Sequence, residues 1–128
     1  MLELTDKGRS YLGQRGQRYP DNEGLEHKYW KARIADYYLM KGFQVEVEKQ
    51  INGKPDIIVK RGGDAVAVEI ETGKSDPIGN IIKNLKQGFS EIITVATNEA
   101  AEQSILAKIR AAGMAYDKRI RIVSVKAF

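Results

Sequence analysis

Residues 53–74, GKPDIIVKRGGDAVAVEIETGK, constrain the fold of this chain more than any other stretch. Two runs rich in β-branched residues, 55–60 and 65–72, flank the pair Gly62-Gly63. Alternating apolar runs around a Gly pair predict a β-hairpin with a two-residue loop. Such a loop sets the register: Arg61 faces Asp64, Lys60 faces Ala65, Ile58 faces Ala67 and Asp56 faces Glu69. Two carboxylates directly opposite each other bring their Cβ atoms to roughly 4.5–5.5 Å. Glu71 follows on the same face, because strand side chains repeat with period two. Like charges in this arrangement repel and destabilise the sheet unless they are neutralised. A divalent cation is the simplest neutralising partner, so the hairpin reads as a metal site.

Composition narrows the alternatives. A chain of 128 residues with 42% hydrophobic and 30% charged residues suits one soluble α/β-sized domain. No apolar run approaches the roughly 20 residues of a membrane span, and the N-terminus lacks a signal-peptide core. The absence of cysteine excludes disulfides and thiolate metal sites, and a single histidine argues against a His-rich zinc site. A cytoplasmic location is the expectation. The net charge is +4, and beyond Gln103 six basic residues face one acid, Asp117. Acids gather around the first helix and the hairpin. A basic surround with a local acidic pocket suits a polyanion held near a metal.

Residues 1–24 are expected to form a flexible or linker-like arm, and residues 25–128 the folded domain. Within the arm, residues 4–12 resemble the closing segment of winged-helix DNA-binding domains, which would make the chain part of a longer, multidomain protein. A helix is expected from about Asn22 to Met40, ended by Gly42. Leu25, Ala32, Ala35 and Leu39 read as one apolar stripe, and Glu26, Trp30, Arg33 and Tyr37 as another. Glu26 is either a first-turn acid complementing the helix dipole or a catalytic group. His27 reads as a solvated helix residue, and the Trp30 and tyrosine cluster as packing rather than base stacking. A strand over 43–51 precedes the hairpin. A helix over 77–89, with Ile78, Ile82, Leu85 and Phe89 on one face, follows it. Residues 91–97 form a strand buried on both faces, 99–112 a third helix, and 119–125 a last strand near a sheet edge.

This order is helix, three strands, helix, strand, helix, strand, which implies a mixed sheet with helices on both faces. On Pro55-Asp56, on Glu69 within Val-Glu-Ile-Glu, and on Glu26 in the preceding helix, the chain resembles the PD-(D/E)XK nuclease superfamily. Restriction enzymes and archaeal Holliday-junction resolvases belong to it. The resemblance spans residues 25–98 and implies a restriction-endonuclease-like αβββαβ core, here with an added C-terminal helix and strand. It also implies Mg²⁺- or Mn²⁺-dependent hydrolysis of DNA phosphodiesters. Asp56 and Glu69, with the Ile70 carbonyl, would ligate the metal, and Glu26 would orient a water or complete a second site. DNA is the implied partner, no membrane is, and cutting both strands calls for a homodimer.

One position departs from the pattern: Glu71 stands where the superfamily has lysine, giving E-x-E. Three readings are open. Glu71 is a second-metal ligand or general base; the positive charge has moved to Lys54, Lys74, Lys83 or Lys86, with Lys54 facing Glu71 across the hairpin; or catalysis is lost and DNA binding kept. The expected activity is therefore a metal-dependent DNA endonuclease, with an inactive DNA-binding or assembly module as the alternative. A metal-stabilised structural domain is the third option.

Overall fold

The computed structural model describes residues 24–48 and 53–128. The expected arm therefore lies outside the described residues, apart from Gly24. The elements are α1 (Leu25–Met40), β1 (Gln44–Val47), β2 (Ile57–Arg61), β3 (Asp64–Glu71), α2 (Pro77–Lys86), β4 (Glu91–Ala96), α3 (Glu99–Ala111) and β5 (Ile120–Ser124). The short 3₁₀ turn Val125–Ala127 closes the chain. The five strands lie in sequence order. β1, β2 and β3 pair antiparallel, whereas β4 and β5 add in parallel through α2 and α3. This is the mixed α/β sheet with flanking helices that the order of elements implied. Among the described residues no helix is long and apolar enough to cross a membrane.

The hairpin has the expected register, with Arg61 against Asp64, Lys60 against Ala65 and Ile58 against Ala67. Gly62 sits at φ +61, the positive value that a type II′ turn requires of its first central residue. Alternation along β3 then distributes side chains between two cores. Val66, Val68 and Ile70 pack with Ile34 of α1, Ile57, Val59, Ile93 and Val95. Ala67 packs on the opposite face with Ile81 of α2, Ile92, Ala96 and Ile105 of α3. Glu69 and Glu71 share the second face by the same period, and so emerge beneath α2. β4 is buried from Ile92 to Ala96, and β5 is an edge strand beside it.

Caps place the helices. Asp76 accepts the Gly79 N–H at 3.0 Å ahead of Pro77, and Asn98 accepts the Ala101 N–H at 2.8 Å. Both satisfy orphan donors of a first turn.

Two helix faces depart from the sequence reading. In α1 the expected stripe is misphased, since Leu25 is 87% and Leu39 53% exposed. The face turned to the sheet runs through His27, Lys31, Ile34, Ala35 and Tyr38, spaced by three or four residues, with Lys31, Ile34 and Ala35 buried. In α2, Ile78 and Leu85, with Phe89 beyond its end, do pack partly buried against the second core as expected, but Ile82 is 41% exposed and the fully buried positions are Pro77, Ile81 and Asn84. In both helices the reading followed apolar residues, whereas the buried stripe contains polar ones. α2 also ends at Lys86, short of Phe89.

Substitution separates the two phasings of α1. Ile34→Ala should cost about 2–4 kcal/mol in urea unfolding, and Leu25→Ala less than about 0.5 kcal/mol. Equal losses at the two positions would contradict the observed packing.

Candidate metal centre and anion cleft

The β2–β3 ladder ends at Ile57 and Val68, so Asp56 and Glu69 are the next pair outward. Asp56 thus precedes β2 rather than opening it. Backbone contacts hold it from both sides. Its carbonyl accepts the Glu48 N–H at 2.9 Å from beside β1, and its Oδ2 accepts the Ile70 N–H at 2.8 Å from β3. The same Oδ2 lies 3.1 Å from His27 Nε2 on α1. His27 is therefore not the solvated helix residue expected from the sequence.

Glu69 is 5% exposed. Asn84 Nδ2 donates to its Oε2 at 2.9 Å, and Lys83 Nζ lies 3.9 Å from the same oxygen. The Asp56 and Glu69 carboxyl groups lie close enough for each to shift the titration of the other. Their environments push the two apart. Burial, then the Asp56 charge, raises Glu69 to about 7. Burial acts in the same direction on Asp56, but the His27 contact and the Ile70 N–H outweigh it and hold this group below the usual carboxylate range. Glu69 is thus the member of the pair that holds a proton more readily.

Glu71 is 2% exposed and takes a different part from the one expected. The Ser75 hydroxyl donates to its Oε1, and Asn80 Nδ2 donates to its Oε2 at 3.2 Å. Burial still raises its pKa above the ordinary carboxylate value. Both oxygens are engaged by the turn into α2, so Glu71 ties β3 to that helix, and the cross-strand pairing with Lys54 gives way to this arrangement.

These groups border a cleft of about 700 Å³ at the end of the hairpin. Asp56, Glu69 and Glu71 line it, as do Lys54, Lys74 and Lys83. Glu26 lies exposed on its rim, and α1 adds His27 and Lys31 to its wall. Lys86 is exposed in the last turn of α2 and does not line the cleft. Residues that the sequence reading passed over, Lys31, Asn80 and Asn84, belong to two readable patterns. His27 and Lys31 are one helical turn apart on α1. Asn80, Lys83, Asn84 and Gln87 repeat at i, i+3, i+4 and i+7 on α2, and Gln87 Nε2 reaches the Gly53 carbonyl at 2.7 Å.

The donor chemistry fits a hard divalent cation. Mg²⁺ and Mn²⁺ take oxygen ligands, and Mg²⁺ is commonly held by one or two carboxylates with waters and phosphate oxygens in the other positions. Asp56 and Glu69 supply two adjacent carboxylates, open to a cleft, with the residue whose carbonyl was expected to join them, Ile70, in its lining. Among the described residues no three His, Cys, Asp or Glu side chains gather as a ready ligand group.

No family profile matches the chain, and no curated protein does. Among solved structures it is similar to the crystal structure of a protein of unknown function, AF1548, with 15% sequence identity and a TM-score of 0.46 over 75% of this chain. The chain spans 57% of the length of that protein.

The pKa of Glu69 gives a stability test. Between its ordinary value of 4.5 and about 7 the folded chain holds a proton that the unfolded chain has released. Folding stability contributed by this group therefore falls as pH rises through that window. Glu69→Gln, which stays neutral, should flatten the decline measured by urea unfolding between pH 5 and pH 8. A wild-type profile as flat as that of the variant would show that Glu69 titrates normally.

Proposed function

We propose that the chain is a metal-dependent DNA endonuclease domain that hydrolyses phosphodiester bonds in double-stranded or branched DNA. The observation that carries this reading is the Asp56–Glu69 pair, held side by side at the mouth of a cleft that lysines also line. A bound Mg²⁺ or Mn²⁺ would supply an activated water and stabilise charge on the attacked phosphate. Asp56 and Glu69 hold that ion. His27 and the Ile70 N–H orient Asp56, and Asn84 orients Glu69, so the ion would displace the proton held at Glu69 and meet carboxylates already positioned. Lys54 and Lys74, exposed beside the cleft, take phosphates flanking the reacting one. Lys83 partly offsets the charge of Glu69.

A second reading, a non-catalytic DNA-binding or assembly module, draws support from Glu71. Its two oxygens serve Ser75 and Asn80, so this residue is committed to structure where the resembled superfamily carries a lysine.

Cleavage of plasmid and branched duplexes with Mg²⁺ or Mn²⁺ decides between them. Asp56→Asn and Glu69→Gln should each lower the rate by about 100-fold or more and abolish Mn²⁺ binding in calorimetry, whereas Lys86→Gln should leave both unchanged. DNA binding without cleavage and without Mn²⁺ affinity would favour the module. Cleavage that survives both carboxylate substitutions would overturn the endonuclease reading.

A further inference from the structure

Hydrolysis at a two-carboxylate centre builds negative charge on the phosphate oxygens, and fixed positive charge aimed at that point lowers the barrier. Resting on the endonuclease reading above, we propose that Lys31 is the cation that receives the reacting phosphate. Of the lysines lining the cleft, Lys54 and Lys74 are exposed, and Lys83 is one third exposed with its ammonium 3.9 Å from Glu69. Lys31 differs from all three. It is 7% exposed, on the sheet-facing stripe of α1, one helical turn beyond His27 and one turn before the core residue Ile34.

Its ammonium is fixed by backbone. Lys31 Nζ donates to the Glu48 carbonyl at 2.7 Å, and the N–H of the same Glu48 donates to the Asp56 carbonyl at 2.9 Å. One residue therefore ties the cation to the carboxylate end of the hairpin. A helix position with Ile34 as its next inward neighbour is cheapest to fill with an apolar side chain, because taking an ammonium out of water costs several kcal/mol. A lysine held there on a rigid helix, opening into the cleft, is pre-organised for an anion in a way that exposed lysines are not. The proposed contact is with a phosphate oxygen, and it strengthens as charge develops there.

Lys31→Gln keeps a donor for the Glu48 carbonyl while removing the charge. Single-turnover cleavage with Mn²⁺ should fall about 100-fold, while Lys83→Gln should lose less than about 10-fold. Calorimetric Mn²⁺ affinity should stay at the wild-type value. In Ca²⁺, the slope of log Kd for duplex DNA against log salt should shrink by about one in Lys31→Gln. A purely structural lysine would move neither that slope nor the rate in a variant that melts as the wild type does. If Lys31→Gln melts early, Lys31→Met, which keeps the stem without the charge, gives the same comparison. Wild-type cleavage and an unchanged salt slope in a folded variant would overturn the proposal and leave the endonuclease reading intact, provided Asp56→Asn is inactive. If the wild type itself does not cleave, that reading fails, and the salt slope alone still decides whether Lys31 meets a phosphate.

Discussion

The β2–β3 register that places the carboxyl groups of Asp56 and Glu69 beside each other is the constraint around which the site is arranged. Two acids side by side at the end of a hairpin are locally unfavourable. They stay together because the register leaves no alternative. A slip of one residue would carry Val66, Val68 and Ile70 out of one core and turn Ala67 away from the other. The apolar faces of β2 and β3 thus stabilise the sheet strongly enough to hold an unfavourable pair at its end. One proton or one cation can offset the adjacent charges, and the elevated pKa of Glu69 expresses that competition.

Both flanking helices contribute to the pair by the same device. Each packs an apolar face on the sheet, and each lets that face become polar where it reaches the end of the hairpin. In α1 the sheet-facing stripe passes from Ile34 to Lys31 and His27. In α2 it passes from Ile81 to Asn84, whose amide holds Glu69, and Asn80, whose amide holds Glu71. Beneath α2, the Asn84 Oδ1 and Thr94 Oγ1 atoms are buried with no hydrogen-bond partner among the described residues. Thr94 is the β4 residue in register with Glu69. This polar layer lies within an otherwise apolar interface, and a site that needs oriented groups explains its position better than packing does.

The strands and the β2–β3 register were legible in the sequence, because period-two alternation and a Gly-Gly turn act locally and leave one register for that hairpin, whereas the parallel pairing of β4 and β5 depends on crossovers that act over longer range. Asp56 facing Glu69 followed from that register alone. The helix faces were less legible. A search for apolar stripes selects Leu25 and Leu39, which are exposed, and Ile82 in place of Ile81 and Asn84. Polar residues on a buried stripe interrupt the hydrophobic period at the positions where the cleft begins. The hydrogen-bond partners of Glu71 were not legible for a related reason. Its strand position is shared with Glu69, but its partners, Ser75 and Asn80, lie four and nine residues further along, across a turn that strand periodicity does not describe.

The proposed function depends on Asp56 and Glu69 binding a divalent cation together. Anomalous diffraction from crystals soaked in Mn²⁺ above pH 7 tests it without any assay of activity. The proposal predicts a single strong peak within ligating distance, about 2.0–2.3 Å, of both carboxylates. Crystals that show Mn²⁺ elsewhere, or none, would contradict it.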